Sequence, residues 1–283
     1  GNDSTGNNAE GGKVVLSARE GFVTLADGSA IDVSGSGSGR GGSVQFQTAR
    51  NADNDDVNFS DAGVDITGAD RIVVAGFQRY DTAVVDQSLV DGVVKTDTAS
   101  FMAAIAEKLD DLAGRFSNLV SNSSDVFEVA PGVEFFSAGD LVVDGGINLA
   151  PSVQVNPDTG ETSVSDGWRY GDNQTPGFLR FVATNDLTVN GDVSDGFVTL
   201  DYFPQSAPIA ARSWNLAFVA GANQDSANPL AVNGHGDITL TSGSRIRTGT
   251  GDIDLAAGGD LSMQDGAAIY NGGQSQYVTD VLG

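Results

Sequence analysis

A short apolar rhythm near the far end of the chain constrains its fold most. In GDITLTSGSRIRTGTGDIDLAAGGDLSMQDGAAIYNGG, apolar pairs recur as Ile238/Leu240, Ile253/Leu255 and Leu261/Met263, with single anchors at Ile246 and Ile269. Thr239, Asp254 and Ser262 stand between the paired members, so each pair points to one side of a strand and the polar residue to the other. Successive strand starts lie 8, 7, 8 and 8 residues apart, separated by corners rich in Gly and Asp. That spacing is too tight for an immunoglobulin-type sandwich. Three steps span 23 residues, from 238 to 261 and again from 246 to 269. A three-sided coil of that circumference stacks on the next as a parallel β-helix. No coil buries its inward residues alone; stacking closes the core and pairs the backbone.

The same rhythm runs through much of the chain. Val14/Leu16, Val23/Leu25 and Ile31/Val33 open it at steps of 9 and 8 residues. Val44/Phe46, Val64/Ile66, Ile72/Val74, Val133/Phe135, Leu141/Val143, Phe181, Leu187/Val189 and Val198/Leu200 continue it. The expected organisation is a flexible lead-in over 1–12 and a single β-helix domain over 13–283, with about ten coils at the 4.8 Å strand spacing. Three stretches interrupt it. In TDTASFMAAIAEKLDDLAGRFSNLVSN, Phe101, Ile105, Leu109, Leu112, Phe116 and Leu119 recur every three or four residues, which predicts a helical insertion over about 97–121 capped by Asp97 or Thr98. Docking of residues 98–120 on the outside of the coils would bury Phe101, Ile105, Leu112 and Phe116. Residues 144–177, with Pro151, Pro157 and Pro176, read as a long loop or hairpin, and 201–214 as a second loop insertion.

Composition narrows the chemistry. Without cysteine there is neither a disulfide framework nor a thiolate metal site. The 14 basic residues against 38 acidic ones, a formal charge of −24, are sparse and scattered, which argues against nucleic-acid binding. No stretch approaches the roughly 20 apolar residues of a transmembrane helix. Of the acidic residues 32 are Asp and 6 are Glu, the bias of a chain with many turns. The opening GNDSTGNNAEGG has neither an initiator Met nor a signal peptide, as in a mature or cleaved segment.

Catalytic patterns are thin. Gly37, Gly39 and Gly42 match G-x-G-x-x-G, but the following VQFQ reads as strand where a dinucleotide site needs a helix. His235, the one histidine, sits in a Gly-His-Gly corner near Asp237, and no G-x-S-x-G elbow is present. Carboxylate pairs such as Asp252/Asp254 are expected by chance among so many Asp. The repeat-toxin calcium consensus is not met. A looser oxygen cluster, Asp53, Asp55 and Asp56 in NADNDD, is the candidate calcium site; otherwise no cofactor is expected.

Several elements over about 126–273 together resemble the filamentous-haemagglutinin-like large exoproteins of Gram-negative bacteria. They are PGVE followed by SAGDL, GWRYG before PGFLR, the NDLTVNG and SDGF run, and RTGTGDIDLAAG with GGDL ending in AAIY. The resemblance implies a secreted right-handed parallel β-helix (a solenoid), all-β with one α-helical insertion. It also implies export by two-partner secretion through an outer-membrane pore and a place at the cell surface or outside the cell. The expected function is structural and adhesive, a rod section of a surface adhesin or filament, and not an enzyme. Self-association into fibres and binding of a cell-surface glycan are the expected partnerships. Two alternatives stand beside it. One is a carbohydrate-binding surface module using Trp168, Tyr170, Tyr202 and Trp214 as stacking rings. The other is a β-helical polysaccharide-cleaving enzyme.

Overall fold

The computed structural model describes residues 9–60, 64–114, 127–155, 159, 162–165, 167–171, 174–198, 207–208 and 212–273. They form mostly strands, arranged largely in parallel sheets. The chain begins with β1 (Lys13–Ala18), β2 (Ala30–Asp32), β3 (Gly42–Ala49), β4 (Asp65–Thr67), β5 (Ala69–Asp81) and β6 (Val84–Val85). A helical run follows: α1 (Gln87–Leu89), a π-helical turn (Val90–Val94), α2 (Lys95–Glu107) and α3 (Leu109–Gly114). Then come β7 (Phe127–Ser137), β8 (Leu141–Asp144), β9 (Ile147–Asn148) and the antiparallel pair β10 (Ser152–Val155) and β11 (Thr162–Ser165). Next are β12 (Phe178–Ala183), β13 (Leu187–Asn190), β14 (Val193–Ser194), β15 (Phe197–Val198) and β16 (Ala207–Pro208). The last are β17 (Asn215–Ala220), β18 (Ile238–Leu240), β19 (Arg245–Thr248), β20 (Ile253–Ala257), β21 (Leu261–Met263) and β22 (Ala268–Asn271). Contacts divide the chain into two compact units, residues 1–77 with 100–131 and residues 78–99 with 132–283.

In the first unit β1, β3 and β5 pair in parallel, with Val14 against Val44 against Ile72 and Leu16 against Phe46 against Val74. A second parallel row joins β2 to β4, and a third is the bridge between Val23 and Phe59. Val44, Phe46, Ile72 and Val74 are fully buried and share one cluster with Val57, Phe59 and Val64. Phe101, Ile105 and Leu112 belong to that same cluster. The helical stripe is therefore core of this unit and is not docked on the outer surface of the coils, contrary to the sequence expectation; Phe116 lies outside the described residues. Gly76 shows how close the helix comes, because a Cβ there would sit 2.5 Å from the Phe101 ring.

Helical structure also starts earlier than the expected 97, at Gln87, where the Asp86 carboxylate accepts from the Leu89 N–H at 2.8 Å. The run Val90-Asp91-Gly92-Val93-Val94 carries β-branched residues and a glycine, poor helix formers that mask the start in sequence. Burial of Val90 and Val94 in the core of the second unit outweighs that propensity.

The second unit has three parallel sheets. One runs β7-β12-β17-β20, the next β6-β8-β13-β18-β21 and the third β9-β14-β19-β22. Each successive stretch of chain thus adds one strand to each sheet. Like residues stack in rows: Phe135, Phe181, Phe218 and Leu255; Leu141, Leu187, Ile238 and Leu261; Ile147, Val193, Ile246 and Ile269. The rings of Phe135 and Phe181 stack at 5.6 Å and those of Phe181 and Phe218 at 4.9 Å, a favourable offset geometry. The expected 23-residue step holds from Thr239 to Ser262, but stacked positions are 46 residues apart from Asp140 to Asp186 and 51 from Asp186 to Asp237. Insertions lengthen these steps, so the expected ten or so coils do not fit. One of the insertions is the β10–β11 hairpin, within the expected 144–177 stretch. Another, not foreseen, brings Leu230 and Val232 onto an outward apolar patch of Phe136, Val182 and Val219.

Candidate functional site

The acidic segment 51–56 folds as a turn organised by Asn51. Its Oδ1 accepts from the N–H groups of Asp55 at 3.0 Å and Asp56 at 3.1 Å, while its Nδ2 donates to Asp55 Oδ1 at 2.6 Å. Asn54 takes the left-handed conformation, φ 56°, that Asn tolerates better than most residues. Lys108 Nζ donates to Asp55 Oδ2 at 2.6 Å and to the Asp55 carbonyl at 3.1 Å. The Lys108 hydrogen bond, then that of Asn51, holds the Asp55 carboxyl below the usual carboxylate range. Asp56 Oδ1 accepts from the Val57 N–H at 2.7 Å, and Asp53 is exposed. The structure does not gather Asp53, Asp55 and Asp56 into a calcium cage, and the described residues hold no group of three His, Cys, Asp or Glu with metal-binding geometry. Short Asx side chains close the turn on themselves, and Lys108 supplies the positive charge.

Of the rings expected to stack on glycans, the two indoles lie inside. Trp214 is fully buried and Trp168 is 2% exposed, with ring centroids 4.3 Å apart. Trp214 Nε1 donates to the Trp168 carbonyl at 2.6 Å, and Trp168 Nε1 to the Tyr170 hydroxyl at 2.5 Å. Neither indole presents a face to a ligand, which corrects their assignment as stacking rings. Tyr170 is half-buried, and Tyr202 lies outside the described residues. Beside the tryptophans lies a pair that the sequence did not single out. Arg169 Nη2 donates to both carboxylate oxygens of Asp195 at 2.7 Å, with the two side chains 1% and 0% exposed. Arg169 also donates to the carbonyls of Trp168, Arg212 and Leu149. Asp195 Oδ2 accepts from the Trp214 N–H at 2.6 Å. This pair is satisfied on both sides, and it ties Arg169, within the 144–177 stretch, to the turn after β14.

A further device links neighbouring parallel strands of the second unit. Asp140, Asp186, Asp237 and Asp260 each precede the first inward residue of β8, β13, β18 and β21. The N–H of Asp186 donates to Asp140 Oδ1 at 3.3 Å, that of Asp237 to Asp186 Oδ1 at 2.9 Å, and that of Asp260 to Asp237 Oδ1 at 2.7 Å. The residue before each of these strands is thereby fastened to the next by a carboxylate. The recurring dipeptides Asp140-Leu141, Asp186-Leu187, Asp237-Ile238 and Asp260-Leu261 are the signal that could have revealed it. Asp237 is thus engaged with Asp260, and His235 Nε2 instead meets the Thr184 carbonyl at 3.1 Å.

Arg245 stands on the same unit's third sheet with Asp192. Its guanidinium reaches Asp192 Oδ2 at 2.7 Å and Oδ1 at 3.1 Å, and those hydrogen bonds raise its pKa further. Chemically, these sites hold strands, turns and insertions together. No family model, curated protein or solved structure matches the chain.

Proposed function

We propose that this chain is a section of right-handed parallel β-helix in a secreted, filamentous-haemagglutinin-like adhesin or surface filament, exported by two-partner secretion. In this reading it is a rod that carries contact-making parts away from the cell. The observation that carries the reading is the one-strand-per-sheet succession of the second unit, with its stacked rows of like residues. A coil built this way is extended indefinitely by repetition, as a rod demands. Aspartate-fastened corners support it too, since each coil is locked to its neighbours and not to a distant partner. The test is electron microscopy of the purified chain and of the native cell surface, paired with attachment of cells lacking the protein. Narrow rods and weakened attachment are expected. Compact globular particles would overturn the β-helix reading, and undiminished attachment would overturn the adhesive one.

A further inference from the structure

The dipeptide Asn-Gly occurs three times in the second unit, at Asn190-Gly191, Asn233-Gly234 and Asn271-Gly272. It is the asparagine context most open to an internal reaction, because glycine has no side chain to keep its amide nitrogen from the carboxamide carbon before it. All three asparagines are exposed, so access of water does not separate them. Their hydrogen bonds do.

Asn190 Nδ2 donates to Asp144 Oδ1 at 3.0 Å, and its Oδ1 accepts from Thr241 Oγ1 at 3.2 Å. The Gly191 N–H donates to Ser244 Oγ at 3.0 Å. Asn271 Nδ2 donates to the Gly251 carbonyl at 2.7 Å, and its Oδ1 accepts from the Gly273 N–H at 3.0 Å. The Gly272 N–H donates to the Thr248 carbonyl at 2.9 Å. In both pairs the carboxamide is pinned at its two ends and the following N–H is engaged. Asn233 differs on every count. Its side chain makes one long hydrogen bond, from Nδ2 to the Ala222 carbonyl at 3.4 Å. Among the described residues its Oδ1 has no donor and the Gly234 N–H no acceptor. Gly234 is exposed, and a Cβ there would meet nothing within 4 Å.

We propose that Asn233-Gly234 is a self-modification site. The Gly234 amide nitrogen gives its proton to water and attacks Asn233 Cγ. A C–N bond forms, the Cγ–Nδ2 bond breaks, and ammonia leaves, its third hydrogen supplied by water, so that a cyclic imide remains. A water molecule then opens the imide at one of its two carbonyls. One product is aspartate; the other is isoaspartate, whose main chain runs through the former side-chain carbon. The site stands whether or not the chain is part of a rod.

Its position gives the reaction a consequence. The Asn233 N–H donates to the Gly221 carbonyl at 2.8 Å, and Ala222 bridges Val232. Asn233 therefore closes the foot of the insertion between β17 and β18, which lays Leu230 and Val232 on Phe136, Val182 and Val219. There is no slack on the other side: a Cβ on Gly236 would lie 2.3 Å from the Gly221 nitrogen and 2.5 Å from the Asn185 carbonyl oxygen. The extra main-chain carbon of isoaspartate is taken up by the insertion, which loosens from the apolar patch beneath it.

Peptide mapping by mass spectrometry of the full chain, held in warm neutral buffer with and without urea, reads the reaction. Electron-transfer fragmentation tells isoaspartate from aspartate. In the folded chain residue 233 is expected to convert at least about tenfold faster than residues 190 and 271. In urea the three rates should converge, since the hydrogen bonds that separate them are gone. Folded conversion at 233 no faster than at the other two, or conversion there only in urea, overturns the site. The isoaspartate form, separated by ion exchange, should be cut severalfold faster within 223–232 in limited proteolysis. Freshly purified Asn233→Asp, which adds the charge without the carbon, should be cut at the rate of the unmodified chain. Equal cleavage of the isoaspartate and unmodified forms, or equally fast cleavage of Asn233→Asp and isoaspartate, overturns the proposed loosening.

Discussion

Arg169 and Asp195 place opposite charges where no water reaches, and the arrangement holds only because every strong donor and acceptor finds a partner. Removing one partner is therefore far worse than removing both. Asp195→Ala, which strands the guanidinium, is expected to lower stability by about 3–5 kcal/mol. Arg169→Met with Asp195→Leu should recover much of that loss. Trp168 and Trp214, the only tryptophans, lie beside the pair, so urea unfolding followed by their emission reports both variants. A loss below about 1 kcal/mol for Asp195→Ala would mean that water reaches the site. Asp55 is the contrasting, exposed case. Its carboxyl is held below the usual range by Lys108 and Asn51, so its contribution is present above the unfolded pKa and fades as pH falls through the folded one. Lys108→Met should lower stability slightly at neutral pH, where the Asp55 carboxylate is ionised, leave it unchanged at pH low enough to protonate Asp55, and so flatten the acid limb of the stability profile. An unaltered acid limb would show that the ion pair does not stabilise the turn.

The helical run is the element whose role changed most between sequence and structure. Its apolar stripe is plain in the order Phe101, Ile105, Leu112, and the structure buries all three. What the stripe faces is not written in a periodicity, because a helix on a sheet's outer face and one inside a core carry the same pattern. Gly76 gave the only local hint, a missing side chain on β5 where Phe101 enters. Ile105→Ala should thus cost about 2–4 kcal/mol, as a core truncation does, and not the small penalty of a peripheral contact. Hydrogen exchange checks it: protection is expected to fall across β3, β4 and β5 as well as in the helix. Loss confined to 98–114 would restore the peripheral placement. The strands were more legible, since alternation of period two survives in every row of the second unit. The indoles were misread for a related reason. Trp168 and Trp214 lie in stretches with no clear alternation, and an aromatic in a loop looks the same in sequence whether it turns in or out.

Across the whole molecule, the charge of −24 must be reconciled with paired strands only about 4.8 Å apart. The 23-residue period was readable only where insertions are absent, from β18 to β21 and from β19 to β22, which is why equivalent aspartates 46 and 51 residues apart escaped notice. Stacking aligns Asp140, Asp186, Asp237 and Asp260 along one corner, and the N–H groups they accept from offset part of their mutual repulsion. Most of the remaining acidic excess has too few cations to pair with, so the surface repels itself most at low ionic strength, where the screening length is about 30 Å at 0.01 M. Sodium chloride raised from 0.01 to about 0.5 M is expected to increase the melting temperature by several degrees, since about 1 kcal/mol moves a chain of this size by roughly 2–4 °C. Calcium separates screening from binding. The Asp53, Asp55 and Asp56 turn is closed by Asn51 and Lys108, so millimolar calcium should add no more than sodium at matched ionic strength. An excess effect of calcium that disappears in Asp55→Asn would show that the turn opens to bind it. Melting that is flat from low salt to 0.5 M would instead mean that the carboxylates are already neutralised within the fold, and that repulsion is not what limits its stability.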